Sequence, residues 1–193
     1  MRGGVAKSAG ASAVAEVQAV SRTAPGNCGG GGSVTDAAGL SQGVVLSEHG
    51  GTWGAALPAT TAQLATSSMV GTVSCGRTGS CVAGGSFMAV GPFSHALLVS
   101  EANGRWSAGR EVPGLAAINH GSAEVDSVSC AAPGDCAVAG TYTATLPDSS
   151  RREQAFVADE AGGTWRLAQP VPGAPAFNAR NAAVTALSCR APR

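Results

Sequence analysis

Two cysteine pairs share one spacing. Cys75 and Cys81 frame GRTGS, Cys130 and Cys136 frame AAPGD, and the two C-x5-C units lie 55 residues apart. Two chemistries use paired cysteines. A disulfide across a hairpin turn would hold two strands in register, and the short loop would contribute roughly 2–2.5 kcal/mol per bond. Zinc is the rival, but it is usually held by C-x2–4-C and needs four ligands. The three histidines, His49, His95 and His120, do not recur at matching positions. The spacing therefore favours disulfides, and with them an oxidising, extracellular or cell-surface setting. Two cysteines fall outside the pairs. Cys28 aligns with the second cysteine of a unit whose first position is Arg22, and Cys189 is a first cysteine with no second.

A second pattern carries carboxylates. The segments VVLSEHGGTW (44–53), LLVSEANGRW (97–106) and FVADEAGGTW (156–165) each hold Glu-x-x-Gly-x-Trp. Its members are Glu48, Gly51 and Trp53, then Glu101, Gly104 and Trp106, then Glu160, Gly163 and Trp165. A glutamate can act as acid, base or metal ligand. A catalytic group is needed once, however, and these recur in every copy, as a structural group would. The glycine suits the positive φ of a tight turn. The tryptophan is expected to bury its ring between repeats, and the glutamate to accept from turn amides.

These residues must be positioned by repeated elements. The tryptophans are spaced by 53 and 59 residues, and the cysteine units keep the same beat. Such a period marks tandem repeats. In the middle copy, strands are expected near Met69–Cys75, Cys81–Phe87, Ala96–Glu101 and Arg105–Val112, with turns at GRTGS, GPFS and ANG. Four antiparallel strands repeated radially make propeller blades, and stacked hairpins are the architectural rival. The expected class is all-β: a partial or open β-propeller of about three repeats. The divisions are a low-complexity segment 1–15, a degenerate repeat 16–67, repeats 68–122 and 123–182, and a first strand at 183–193.

Composition bounds function. Charged residues are 12% of the 193, the formal net charge is zero and Lys7 is the only lysine, so no basic footprint for nucleic acid exists. Arg151-Arg152 fits a solvated turn. No apolar run is long enough for a membrane span. Met1–Lys7 is followed by Ala, Gly and Ser rather than an apolar h-region, so no signal peptide is legible. CGGGGSV (28–34) fits a degenerate strand better than a phosphate cradle, since no helix start follows. His95 and His120 with Asp126 read as loop and connector residues.

These features together resemble tandem repeats of secreted or cell-surface proteins of high-GC actinobacteria, whose blades carry SC-x5-C and an E-x-x-G-x-W turn. The turn is also similar to the Asp-box of sialidase-like propellers, S-x-D-x-G-x-x-W. Glu48, Glu101 and Glu160 stand at its aspartate; Gly50, Asn103 and Gly162 at its glycine; Leu46, Val99 and Ala158 where it has serine. The resemblance implies a fold and carries no activity. A sialidase site would need an arginine triad and a Tyr–Glu nucleophile pair. The single tyrosine, Tyr142, aligns with Phe87 of the previous copy and so reads as a packing aromatic, and Arg110-Glu111-Val112-Pro113 is a loose echo of the family's arginine segment.

The expected function is a non-catalytic extracellular binding or scaffold module, for a carbohydrate or protein ligand, with no cofactor or metal. The alternatives are a glycan-active enzyme fragment or a fragment without independent function. Three blades fall short of the roughly 4–8 that close a ring. A head-to-tail homodimer bridged through Cys28 and Cys189 is one way to complete it.

Overall fold

The computed structural model describes residues 14–61, 63–146, 148–174 and 181–190; most of the expected segment 1–15 lies outside them. Fifteen strands form three antiparallel sheets. The first holds β1 (Val14–Ala24), β2 (Asn27–Thr35), β3 (Ser41–His49), β4 (Thr52–Trp53) and β5 (Leu57–Pro58). The second holds β6 (Ser67–Arg77), β7 (Ser80–Met88), β8 (Ser94–Ala102), β9 (Arg105–Trp106) and β10 (Arg110–Glu111). The third holds β11 (Ala123–Ala132), β12 (Asp135–Thr145), β13 (Arg151–Ala161), β14 (Thr164–Trp165) and β15 (Gln169–Pro170). Each sheet is a four-stranded blade whose outer strand is broken in two, and the three blades form an open, propeller-like array.

The break corrects the expected continuous strand at Arg105–Val112. After Trp106 the chain leaves the ladder, Ser107 N–H bonds Ser100 O, and pairing with β8 resumes at Arg110. The excursion lets Gly109 N–H reach Ala59 O in the connector of the preceding blade, and Ala168 N–H likewise reaches Pro113 O. A straight strand would leave those connector carbonyls without that partner. Arg151-Arg152 also departs from expectation: it lies in β13, opposite Thr145 and Ala144, rather than in a turn.

No blade has a core of its own. One apolar cluster (Val45, Val70, Val73, Leu97, Val99 and neighbours) fills the seam between blades 1 and 2. A second, with Leu98, Val125, Val128, Val138, Phe156 and Trp165, fills the next seam. The seams work by knob and hole. A Cβ placed on Gly31 of β2 would meet Val70 Cγ1 at 2.4 Å and Val73 Cγ2 at 2.8 Å, and Gly84 faces Val125 and Val128 in the same way. Within CGGGGSV, Gly31 is the position onto which the next blade's valines close, Gly29 faces the Cys75–Cys81 disulfide, and Gly30 and Gly32 face Leu46 and the β1 backbone of their own blade.

A polar link repeats beside these knobs. Cys75 N–H donates to Ser21 Oγ (3.0 Å), Cys130 N–H to Ser74 Oγ (3.0 Å) and Cys189 N–H to Ser129 Oγ (2.8 Å). Residues 181–190 form no strand ladder, yet this link, with Leu187 N–H on Ser127 Oγ, sets them against blade 3 where a following blade's first strand would lie.

Candidate functional site

Both sequence motifs sit at one end of the blades. Gly51, Gly104 and Gly163 take φ of 82°, 74° and 78°, and the residues before them (Gly50, Asn103, Gly162) are also positive. Two consecutive positive φ values mark the type I′ hairpin turn. The turn amides do not go to the glutamates, as the sequence suggested. Gly51, Gly104 and Gly163 N–H donate to Gly26, Gly79 and Gly134 O, tying each blade's two hairpin turns together. Beside them, Cys75 is bonded to Cys81 and Cys130 to Cys136, each pair directly opposite in the ladder. Two such bonds fit an oxidising, extracellular-type environment.

The glutamates instead serve the seams, and unequally. Glu101 is buried and accepts from Ser47 Oγ of the preceding blade at 2.6 Å, while Ser47 accepts from Trp106 Nε1 at 2.9 Å. Glu160 makes no such bond; burial and nearby Asp135 raise its pKa against the pull of Arg110. Glu48 lies opposite Cys28, and its hydrogen bond raises the thiol's pKa. Burial of the tryptophans follows the seams: Trp165 is 8% exposed and Trp106 half-buried, but Trp53 is 45% exposed. The expected burial fails at Trp53 because no described blade precedes it.

Cys28 and Cys189 are free, the first half-buried and the second exposed. Among the described residues, no three His, Cys, Asp or Glu side chains cluster as a metal site, and no helix is long and apolar enough to cross a membrane.

Hydroxyl side chains converge at the opposite end of the blades, several of them at equivalent positions of blades 1 and 2: Ser33 with Ser86, and Ser41 with Ser94. A cleft of about 420 Å³ opens between blades 1 and 2. The starts of β1, β3, β6 and β8 and the ends of β2 and β7 form it. Its walls carry Ser33, Thr35, Ser41, Ser67, Ser86 and Ser94, with Glu16 and Gln18 from β1. Its apolar floor includes Met69, Phe87 and Met88. The hydroxyls are set in place: Thr35 Oγ1 and Ser41 Oγ are 2.7 Å apart, and Ser67 Oγ donates to Ser41 O. Phe87 is fixed by stacking on His95, with ring centroids 5.1 Å apart. Glu16 is the one charged side chain among the lining residues, so the cleft has no cation to hold an acidic ligand. Hydroxyl donors and acceptors above an apolar floor suit a neutral, polyhydroxylated molecule, whose rings have both polar edges and C–H faces.

The histidines are only partly together. His95 Nδ1 lies 3.2 Å from Glu111 Oε1, and both share a smaller cleft with His120, while Asp126 is not among its lining residues. Tyr142 is buried edge-on against Phe156, and burial raises its pKa. Glu101 and Glu160 line a third cleft with Ser100 and Arg110, in the seam between blades 2 and 3. Sequence reading missed the serine cleft, because its members are spread over six strands. It also missed the seam serines, although a serine precedes every first-strand cysteine.

The fold and cleft together define the class: an open β-propeller module with a hydroxyl-lined inter-blade cleft. No protein-family model matches the chain, and no curated protein matches it.

Proposed function

We propose that this chain is a non-catalytic binding module that takes a neutral saccharide in the cleft between blades 1 and 2, in an extracellular setting. The observation that carries this reading is that serine and threonine hydroxyls line the cleft together with Met69, Phe87 and Met88. Gln18 and Glu16 are exposed on the inner strand and free to meet a ligand. Glycoside hydrolysis generally uses two carboxylates across the scissile bond, whereas Glu16 is the single carboxylate among this cleft's lining residues.

A glycan array of neutral and acidic oligosaccharides tests it, followed by calorimetry on any hit. Binding of neutral glycans is expected. Gln18→Ala and Ser86→Ala should each weaken it by up to about ten-fold, the worth of one hydrogen bond, while His120→Ala in the separate histidine cleft should leave it unchanged. An array on which neutral glycans give no signal, or a hit insensitive to both cleft variants, sinks the reading.

A further inference from the structure

The seam between blades 2 and 3 repeats the parts of the preceding seam without its bonds. In the preceding seam Trp106 Nε1–H donates to Ser47, and Ser47 donates to Glu101 Oε1. The equivalent residues one blade on are Trp165, Ser100 and Glu160. Trp165 Nε1 is buried there without a hydrogen-bond partner, and so is the second oxygen of Glu101, Oε2. Both side chains are more than nine-tenths buried, with Trp165 8% and Glu101 4% exposed. Both line one cleft of about 390 Å³, within the range of small-molecule sites, about 300–1,000 Å³. Buried polar groups are nearly always hydrogen-bonded, so an orphan donor and an orphan acceptor along one cleft point to a molecule that pairs with both.

The same cleft holds charges that do not meet. Arg110 of β10 and Glu160 of β13 both line it, and neither forms an ion pair among the described residues. Burial and then Asp135 raise the pKa of Glu160, and the pull of Arg110 does not offset them. Arg110 is also peculiar to its blade: Leu57 and Gln169 hold the same ladder position in blades 1 and 3. A residue shared by every blade serves the fold, whereas one present once, on a cleft wall, is free to serve a ligand. Val82, Ala102 and Ala108 add apolar surface to the wall.

We propose that this cleft binds an α-amino acid with a small apolar side chain, its ammonium held by the carboxylates of Glu101 and Glu160 and its carboxylate by the Arg110 guanidinium and the Trp165 indole N–H. A zwitterion matches the cleft group for group. An ammonium is donor only and a carboxylate acceptor only, so each end pairs with one set of wall groups and is refused by the other. The guanidinium fork suits a carboxylate in particular. Glu101 Oε2 and Trp165 Nε1 are closed to solvent, so they reach the ligand through a small rotation of the carboxylate and the indole. A neutral sugar would leave the charges of Arg110 and Glu160 unpaired, and a simple amine or acid would satisfy one side alone. No residue is common to this cleft and the serine cleft, so the two readings stand or fall separately.

The test is calorimetry on the full chain with three matched probes: L-valine, isobutylamine, which lacks its carboxylate, and isovalerate, which lacks its ammonium. L-Valine should bind, and each half-molecule should bind at least about ten-fold more weakly, the worth of one charge-assisted hydrogen bond. Arg110→Gln and Glu160→Gln alter an exposed and a half-buried side chain, and far-UV circular dichroism should show both folded. Each should weaken L-valine binding by at least about ten-fold, while Ser86→Ala in the serine cleft should leave it unchanged. Tryptophan fluorescence should change on binding, and Trp165→Phe, which keeps a ring but removes the N–H, should abolish that response. No binding of L-valine, or a half-molecule that binds as tightly, would overturn the proposal. So would an affinity indifferent to Arg110→Gln and Glu160→Gln, or a fluorescence response that survives Trp165→Phe.

Discussion

Trp106 of blade 2 donates Nε1–H to Ser47 Oγ of blade 1 at 2.9 Å, and the Ser47 hydroxyl donates in turn to Oε1 of the buried Glu101 at 2.6 Å. One serine thus satisfies two side chains of the next blade. Its removal should leave a buried carboxylate oxygen and an indole N–H without partners. Ser47→Ala is expected to cost about 2–3 kcal/mol in urea unfolding. The equivalent Ser100 makes no such bridge to Trp165, whose Nε1 is buried and unpartnered, so Ser100→Ala should stay within about 0.5 kcal/mol. Equal costs at the two positions would show that the bridge contributes nothing.

The two disulfides close short hairpin loops, with a sequence separation of 6 in each. Replacing Cys75 and Cys81 together by serine should cost about 2–2.5 kcal/mol by the chain-entropy estimate. The loss should appear as a lower unfolding midpoint with an unchanged far-UV spectrum, since the β6–β7 ladder extends well past the bond. A collapse of the β signal would mean that the bond is needed to form the blade rather than to steady it.

Repeat number, strand count and the turn glycines were legible because each leaves a mark at a fixed period. What was not legible depends on neighbours. Glu48, Glu101 and Glu160 share one motif, yet only Glu101 accepts from the serine of the preceding blade; Ser100 lies in the same cleft as Glu160 and makes no such bond. Trp53 and Trp165 likewise share a motif and differ in burial, since a described blade precedes only the latter. The outer-strand break is set by the connector carbonyls it reaches, which no local pattern announces. The serine cleft was invisible for the same reason: serine is a common surface residue, and only the packing of two blades brings Ser33, Ser41, Ser67 and Ser86 together.

Gly31 tests the knob-and-hole seam. A methyl there would fall 2.4 Å from Val70 Cγ1 and 2.8 Å from Val73 Cγ2, both on a packed strand. Gly31→Ala should therefore cost about 1–3 kcal/mol through overpacking. Adding Val70→Ala should recover part of that loss, since it vacates the contacted atom; a double mutant cycle in urea reads the coupling. Additive costs would place the strain elsewhere.

Glu124 offers a pH test of the third blade's inner strand. Burial, and then the neighbouring Asp126 carboxylate, hold its pKa above the usual range. A carboxyl whose folded pKa is raised favours the folded state fully below its unfolded pKa, and that contribution is lost as pH rises through the folded value. At about pH 7 the ionised Glu124 is thus a liability that a neutral amide of the same shape lacks. Glu124→Gln should raise the melting temperature at about pH 7, and the gain over the parent should shrink toward zero at about pH 3, where the parent's carboxyl is already protonated. Thermal melts of both proteins across that range decide it. A gain that persists at low pH would come from packing or hydrogen bonding of the amide, and a loss at neutral pH would mean that the charged carboxylate has a stabilising partner in the folded protein.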